Sequence, residues 1–166
     1  MELIIAIMFF ALSGAVCVRL FAGAHKMAED DKNLNQAVLW TQNLAEVFYS
    51  CNGSIQSIKG MYPSAIITLE ESKDSGAIVL FFDDKWVETD SSSANASYEA
   101  IMQIYTKKAN EAYFDANKYN VELKGNAIIG DIAVIDLRGS EEVFSRIPED
   151  DSNIIYSVSV DSYNPE

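Results

Sequence analysis

Few residues in this chain have the type and spacing to do chemistry. Two acidic groups, Asp83-Asp84 and Glu149-Asp150-Asp151, offer the hard oxygen donors that calcium takes. Neither shows the spacing of an EF-hand loop, and adjacent acids between strand-like runs also read as solvated turn residues. His25 is the one histidine, which excludes a multi-histidine metal site and disfavours a catalytic triad. Cys17 and Cys51 stand ~50 Å apart if one helix carries both, too far to pair, and no CxxC motif exists. Both read as small packed hydrophobes. None of the GxSxG, HExxH, GxxxxGK[ST] or GxGxxG patterns occurs. We therefore expect no catalytic residue, no metal and no cofactor. Asn52-Gly53-Ser54 and Asn95-Ala96-Ser97 are glycosylation sequons in form only. One residue remains: Glu2, a carboxylate at the front edge of an apolar run, which needs a cation partner if it is buried.

The element that positions Glu2 is the run itself. Leu3 to Val18 reads LIIAIMFFALSGAVCV, Arg19 interrupts, and LFAGA continues to Ala24. As helix, residues 3–24 span ~33 Å, the thickness of a membrane's hydrocarbon core. Arg19 lies toward the far end, where its stem can reach the interface. Ala22-Gly23-Ala24 also has the form of a signal-peptidase site that would release a chain beginning at His25. Against cleavage stand the acidic start, the length of the apolar run, and a helical pattern that does not stop at residue 24. Nearby cations (Arg19, His25, Lys26, Lys32) all follow the run, which by itself favours a cytoplasmic C-terminal side unless a basic segment precedes Met1.

Residues 25–51 contain neither proline nor glycine. Leu34, Ala37, Val38, Thr41, Leu44, Ala45 and Phe48 fall on one face of a 3.6-residue period, with Asn35, Gln36, Gln42, Asn43 and Glu46 opposite. The spacing predicts one helix from about Glu2 to about Cys51, ~75 Å long, with Asn52-Gly53 closing it. Its stripe, with Leu34, Val38, Leu44, Ala45 and Phe48 as anchors, is expected to pack on the following domain. Ser54 to Met61 has room for another helical turn or two. Beyond it the period changes to two. AIVLFF (77–82) and KWVE (85–88) around Asp83-Asp84 predict a hairpin. Further strands are predicted at Tyr98–Ile104, Tyr119–Leu123, 127–137 with a bulge or bend at Gly130, 141–147, and Ile154–Val160 continuing to Tyr163. SSSANAS (91–97) and PEDDSN (148–153) read as loops. Trp40, Trp86 and the tyrosines read as core and surface aromatics. The expected class is α+β: a long N-terminal helix packed on an antiparallel sheet with one face on the helix and one wet. The expected organisation is a transmembrane segment (1–24), an amphipathic half of the same helix (25–52) and a β-rich head (53–166).

Charge narrows the partners. Of 12 Lys and Arg, Arg19 and Lys26 fall in residues 1–26, and of 25 Asp and Glu only Glu2 does, so residues 27–166 carry 10 cations against 24 anions, a formal −14. Such a domain repels nucleic-acid backbones and anionic lipid headgroups, so no nucleic-acid partner is expected.

With Glu2-Leu3-Ile4-Ile5-Ala6-Ile7 leading into this helix and a β-rich remainder, the sequence resembles the type IV pilin-like proteins, including the pseudopilins of type II secretion and competence systems. The match covers roughly residues 1–51. It implies a structural filament subunit, not an enzyme, held in a bacterial membrane by a single pass with its head extracytoplasmic. The partners implied are membrane lipid and other pilin-like subunits. It also implies a role for Glu2, pairing with the N-terminal amine of a neighbouring subunit during assembly. Met1 stands where the family has the last residue of a short apolar lead, so the resemblance implies a reading frame that starts upstream. No helix-bending proline occurs before Pro63, which fits a minor pilin or pseudopilin better than a major subunit. Two other readings use the same residues: a single-pass anchored binding domain that never polymerises, and a secreted β domain released after Ala24.

Overall fold

The computed structural model describes residues 2–69, 75–89, 96–115, 123–138, 144–149 and 151–165. Helix α1 is continuous over Glu2–Ser50. It stops where Asn52 and Gly53 both take left-handed backbone (φ 49° and 69°) and the Gly53 N–H donates to the Phe48 carbonyl at 2.9 Å. That is the usual way a helix satisfies its last carbonyls. A short helix follows, α2 (Ile55–Met61), which buries Ile55 and Ile58.

The strands are β1 (Ile66–Leu69), β2 (Gly76–Phe82), β3 (Glu88–Thr89), β4 (Tyr98–Lys108), β5 (Asn126–Asp136) and β6 (Ile154–Asn164), with a helical turn α3 (Ala109–Ala112) between β4 and β5. They form one antiparallel sheet in the order β1-β2-β4-β5-β6, with β3 pairing on β2 as well. The chain divides into two compact units, Met1–Asn35 and Gln36–Glu166, so the last part of α1 belongs with the sheet.

Register assigns every strand residue a face. Tyr98, Ala100, Met102 and Ile104 of β4 sit beside Val134, Ile132 and Gly130 of β5 and beside Phe82, Leu80 and Ile78 of β2. This face joins Ala37, Leu44 and Phe48 of α1 in one core, with Trp40, Ala45 and Val47 at its margin. Thr41 lies on the same line and is buried, but its hydroxyl donates to the Ala37 carbonyl at 2.7 Å, so no polar group is stranded.

The structure corrects several expectations. Leu34 is 43% exposed and outside the core, because the periodicity runs on past Gln36, where the head unit begins. The opposite face of the sheet is not wet in its upper half. Ala77, Val79, Phe81, Ile101 and Ile135 form a second cluster there, roofed by Phe144 and Ile147. Residues 144–147 are accordingly irregular chain crossing the sheet, not a strand; 141–143 lie outside the described residues. Residues 119–122 do too, and Leu123 is not in a strand. Gly130 is no bulge: it pairs with Ile104 and Val160 in unbroken register, and the irregularity falls at Val134/Ile135. A Cβ at Gly130 would stand 3.0 Å from the Phe48 ring and 3.0 Å from Val160, so its missing side chain makes room for Phe48. Strand β3 is only two residues long, and Trp86, expected within it, has left-handed backbone (φ 65°) in the turn.

Candidate functional site

Glu2 is the acid of the first turn of α1, where the exposed N–H groups of a helix favour a carboxylate. The sixteen residues after it carry no charge, and α1 is long and apolar enough to cross a membrane by length and composition. All of residues 2–32 are exposed, including Leu3, Ile4, Phe10 (82%), Leu20 and Phe21. Apolar groups point in every direction around this part of the helix. Such a surface is stable only when lipid or protein covers it. Arg19 is exposed within it, and neither Glu2 nor Arg19 has a partner among the described residues. Cys17 is exposed on the same stretch and Cys51 half-buried; both are free thiols.

Within the head, the anchors of the predicted stripe separate. Phe48 and Leu44 are fully buried, Ala45 packs at the margin of the core, and Val38 is half-buried without joining it. Phe48 is the tightest of these, gripped by Gly130 and also by Gly53, where an added Cβ would meet its ring at 3.1 Å. The aromatics form a chain beside the stripe. Trp40 meets Phe82 with ring centroids 4.5 Å apart, Phe82 meets Trp86 at 6.0 Å, and Trp86 stacks on Tyr98 at 4.0 Å. That stacking offsets the strained backbone of Trp86.

The carboxylates have structural work that sequence patterning missed. Asp83 accepts the N–H groups of Lys85 (2.9 Å) and Val87 (2.8 Å) and so fixes the turn that presents Trp86. Asp131 accepts from the Tyr105 hydroxyl (2.9 Å) and the Ser159 hydroxyl (2.5 Å), tying β4, β5 and β6 together on the outer face. Burial and this carboxylate push the Tyr105 phenol up to about 12. Asp136 holds Arg138 at 2.8 Å. Glu149 is exposed.

Glu99 is the exception to the surface role of the acids. It lies on the second face of β4 between Phe81 and Ile135 and is completely buried. Its Oε2 accepts the Phe144 N–H at 3.1 Å, and its Oε1 has no partner among the described residues. Burial pushes its carboxyl up to about 7, with the Phe144 bond acting weakly the other way. Alternation alone marks Glu99 as an outward polar residue. Only the roof supplied from residues 144–147 buries it.

At the end of the sheet nearest the turn after α1, a cleft of about 620 Å³ opens between Asn52, Gln56, Thr106, Asn126 and Asn164, over Ile55, Leu69 and Ile128. No described lining residue is charged, in a chain of formal charge −13. Its amides and hydroxyls can donate and accept hydrogen bonds to a neutral polar group. Comparison with protein-family models, curated proteins and solved structures finds no match to this chain.

Proposed function

We propose that this chain is a structural subunit of a pilin-like filament, a minor pilin or pseudopilin, anchored in a bacterial membrane and assembled through α1. The observation that carries this reading is the continuity of Glu2–Ser50: one helix that is apolar and exposed all round at its start and built into a sheet core at its end. Its last turns are part of the head core, so a copy assembled through its first turns brings its head with it. In the membrane, lipid covers Leu3 to Ala24; in a filament, other copies of the helix do. The antiparallel sheet on the last turns of α1 is the head layout that the resemblance implies, and the unpaired Glu2 is its expected assembly residue.

Glu2→Gln tests this reading. It preserves shape and removes charge, so membrane insertion is expected to survive while filament yield falls. Sheared filaments and membrane-bound protein are measured from the same cells. Normal filaments from Glu2→Gln contradict the role given to the carboxylate. Loss of both filaments and membrane protein signals a general insertion defect. The uncharged cleft at Asn52, Asn126 and Asn164 favours a second reading, an anchored binding domain for a neutral polar ligand. Under that reading wild-type protein is monomeric in the membrane.

A further inference from the structure

Glu2 and Arg19 are the only charged residues in the first 24 positions, and they have opposite signs. Arg19 is flanked by Val18, Leu20 and Phe21, whereas Lys26 and Lys32 share their stretch with Glu29, Asp30 and Asp31. Both Glu2 and Arg19 are exposed and unpartnered among the described residues. In lipid the Arg19 stem can reach the interface, but where other helices cover this stretch an isolated charge is costly unless an opposite charge accompanies it. Within one chain they cannot meet. Residues 2 and 19 are separated along α1 by about 25 Å and around its axis by about 100°.

Resting on the filament reading, we propose that Glu2 of one copy pairs with Arg19 of the next copy, two parallel helices being staggered by about 25 Å. The angle between the two residues decides the symmetry. A two-fold antiparallel pair would need both residues on one shared face, which a separation of about 100° denies. Parallel copies use the Glu2 face of one against the Arg19 face of another. Each copy then keeps one unsatisfied face, so the contact repeats without closing and generates an open filament. The pair sets the axial register that apolar side chains alone leave free to slide. It also gives Glu2 a partner supplied by the helix itself, in place of the N-terminal amine that the family resemblance implies.

The experiment is charge exchange in the full-length protein expressed in its native host, scored by sheared filaments and by membrane-bound protein. Glu2→Arg and Arg19→Glu are each expected to lower filament yield by roughly a hundredfold, the usual scale for stranding one buried charge. The double exchange restores the pair and is expected to recover filaments. Arg19→Lys is expected to assemble and Arg19→Gln to fail, both with normal membrane levels; these two decide the matter if an exchanged chain inserts poorly. Normal assembly of Arg19→Gln overturns the pairing while leaving the filament reading intact. So does a double exchange that inserts but stays defective, which would return Glu2 to an amine partner. Wild-type protein that forms no filaments removes the filament reading itself, and the pairing with it.

Discussion

Glu99 is the residue whose chemistry the fold changes most. Its carboxyl moves from the ordinary 4.5 to about 7 because the roof at Phe144 and Ile147 takes it out of water. Between these values the folded state holds a proton that the unfolded state has released. This contribution to stability is therefore complete below about pH 4.5 and lost as pH rises to about 7, a swing of about 3 kcal/mol. Urea unfolding of the full chain in detergent across this range is expected to show it, and Glu99→Gln to flatten it, since an amide oxygen can still accept the Phe144 N–H. An unchanged slope in Glu99→Gln would place the titration elsewhere. Gly130 is the second telling residue. A methyl there meets Phe48 and Val160 at 3.0 Å from either side, so Gly130→Ala is expected to cost about 1–3 kcal/mol by overpacking. A neutral result by the same unfolding assay would mean that the Phe48 ring yields freely.

At the scale of elements, the last turns of α1 join the sheet core through Ala37, Leu44 and Phe48, with Trp40, Ala45 and Val47 packed at its margin. Phe48 is fully buried and Leu34 is 43% exposed, although both lie on the same periodic stripe. Phe48→Ala is expected to destabilise the head by about 3–5 kcal/mol, and Leu34→Ala to stay within about 0.5 kcal/mol. Similar costs for the two, by thermal or urea unfolding, would remove the distinction. The pair also shows how far sequence carries. The stripe was legible because helical period is a local property, but where it stops being buried depends on where the sheet begins. Strands β2, β4, β5 and β6 were legible from apolar alternation or continuous apolar runs. Strand β1 is not legible in the sequence, because Ile66–Leu69 is only four residues long and carries little pattern. The Trp86 turn and the roof over Glu99 were hidden for another reason. The first depends on Asp83 capping two backbone N–H groups, and the second on a segment 45 residues away along the chain. Glu2, by contrast, is legible in the order of residues alone, because a single carboxylate precedes sixteen uncharged residues.

For the whole molecule, the proposed function divides the labour between two compact units: copies would associate through residues 2–24, and the assembly would display the acidic head. The apolar stretch is expected to remain attached, so fractionation with a C-terminal tag should find the intact chain in membranes; a soluble product beginning at His25 would favour the secreted domain. The most direct test of association is a photoreactive phenylalanine analogue at Phe10, the most exposed aromatic of the stretch at 82%. Illuminated in intact cells, the full-length protein is predicted to give a ladder of dimers and higher multimers, with adducts mapping to residues 3–24 of another copy. Monomers carrying only lipid adducts, at normal membrane levels, would contradict assembly through this helix.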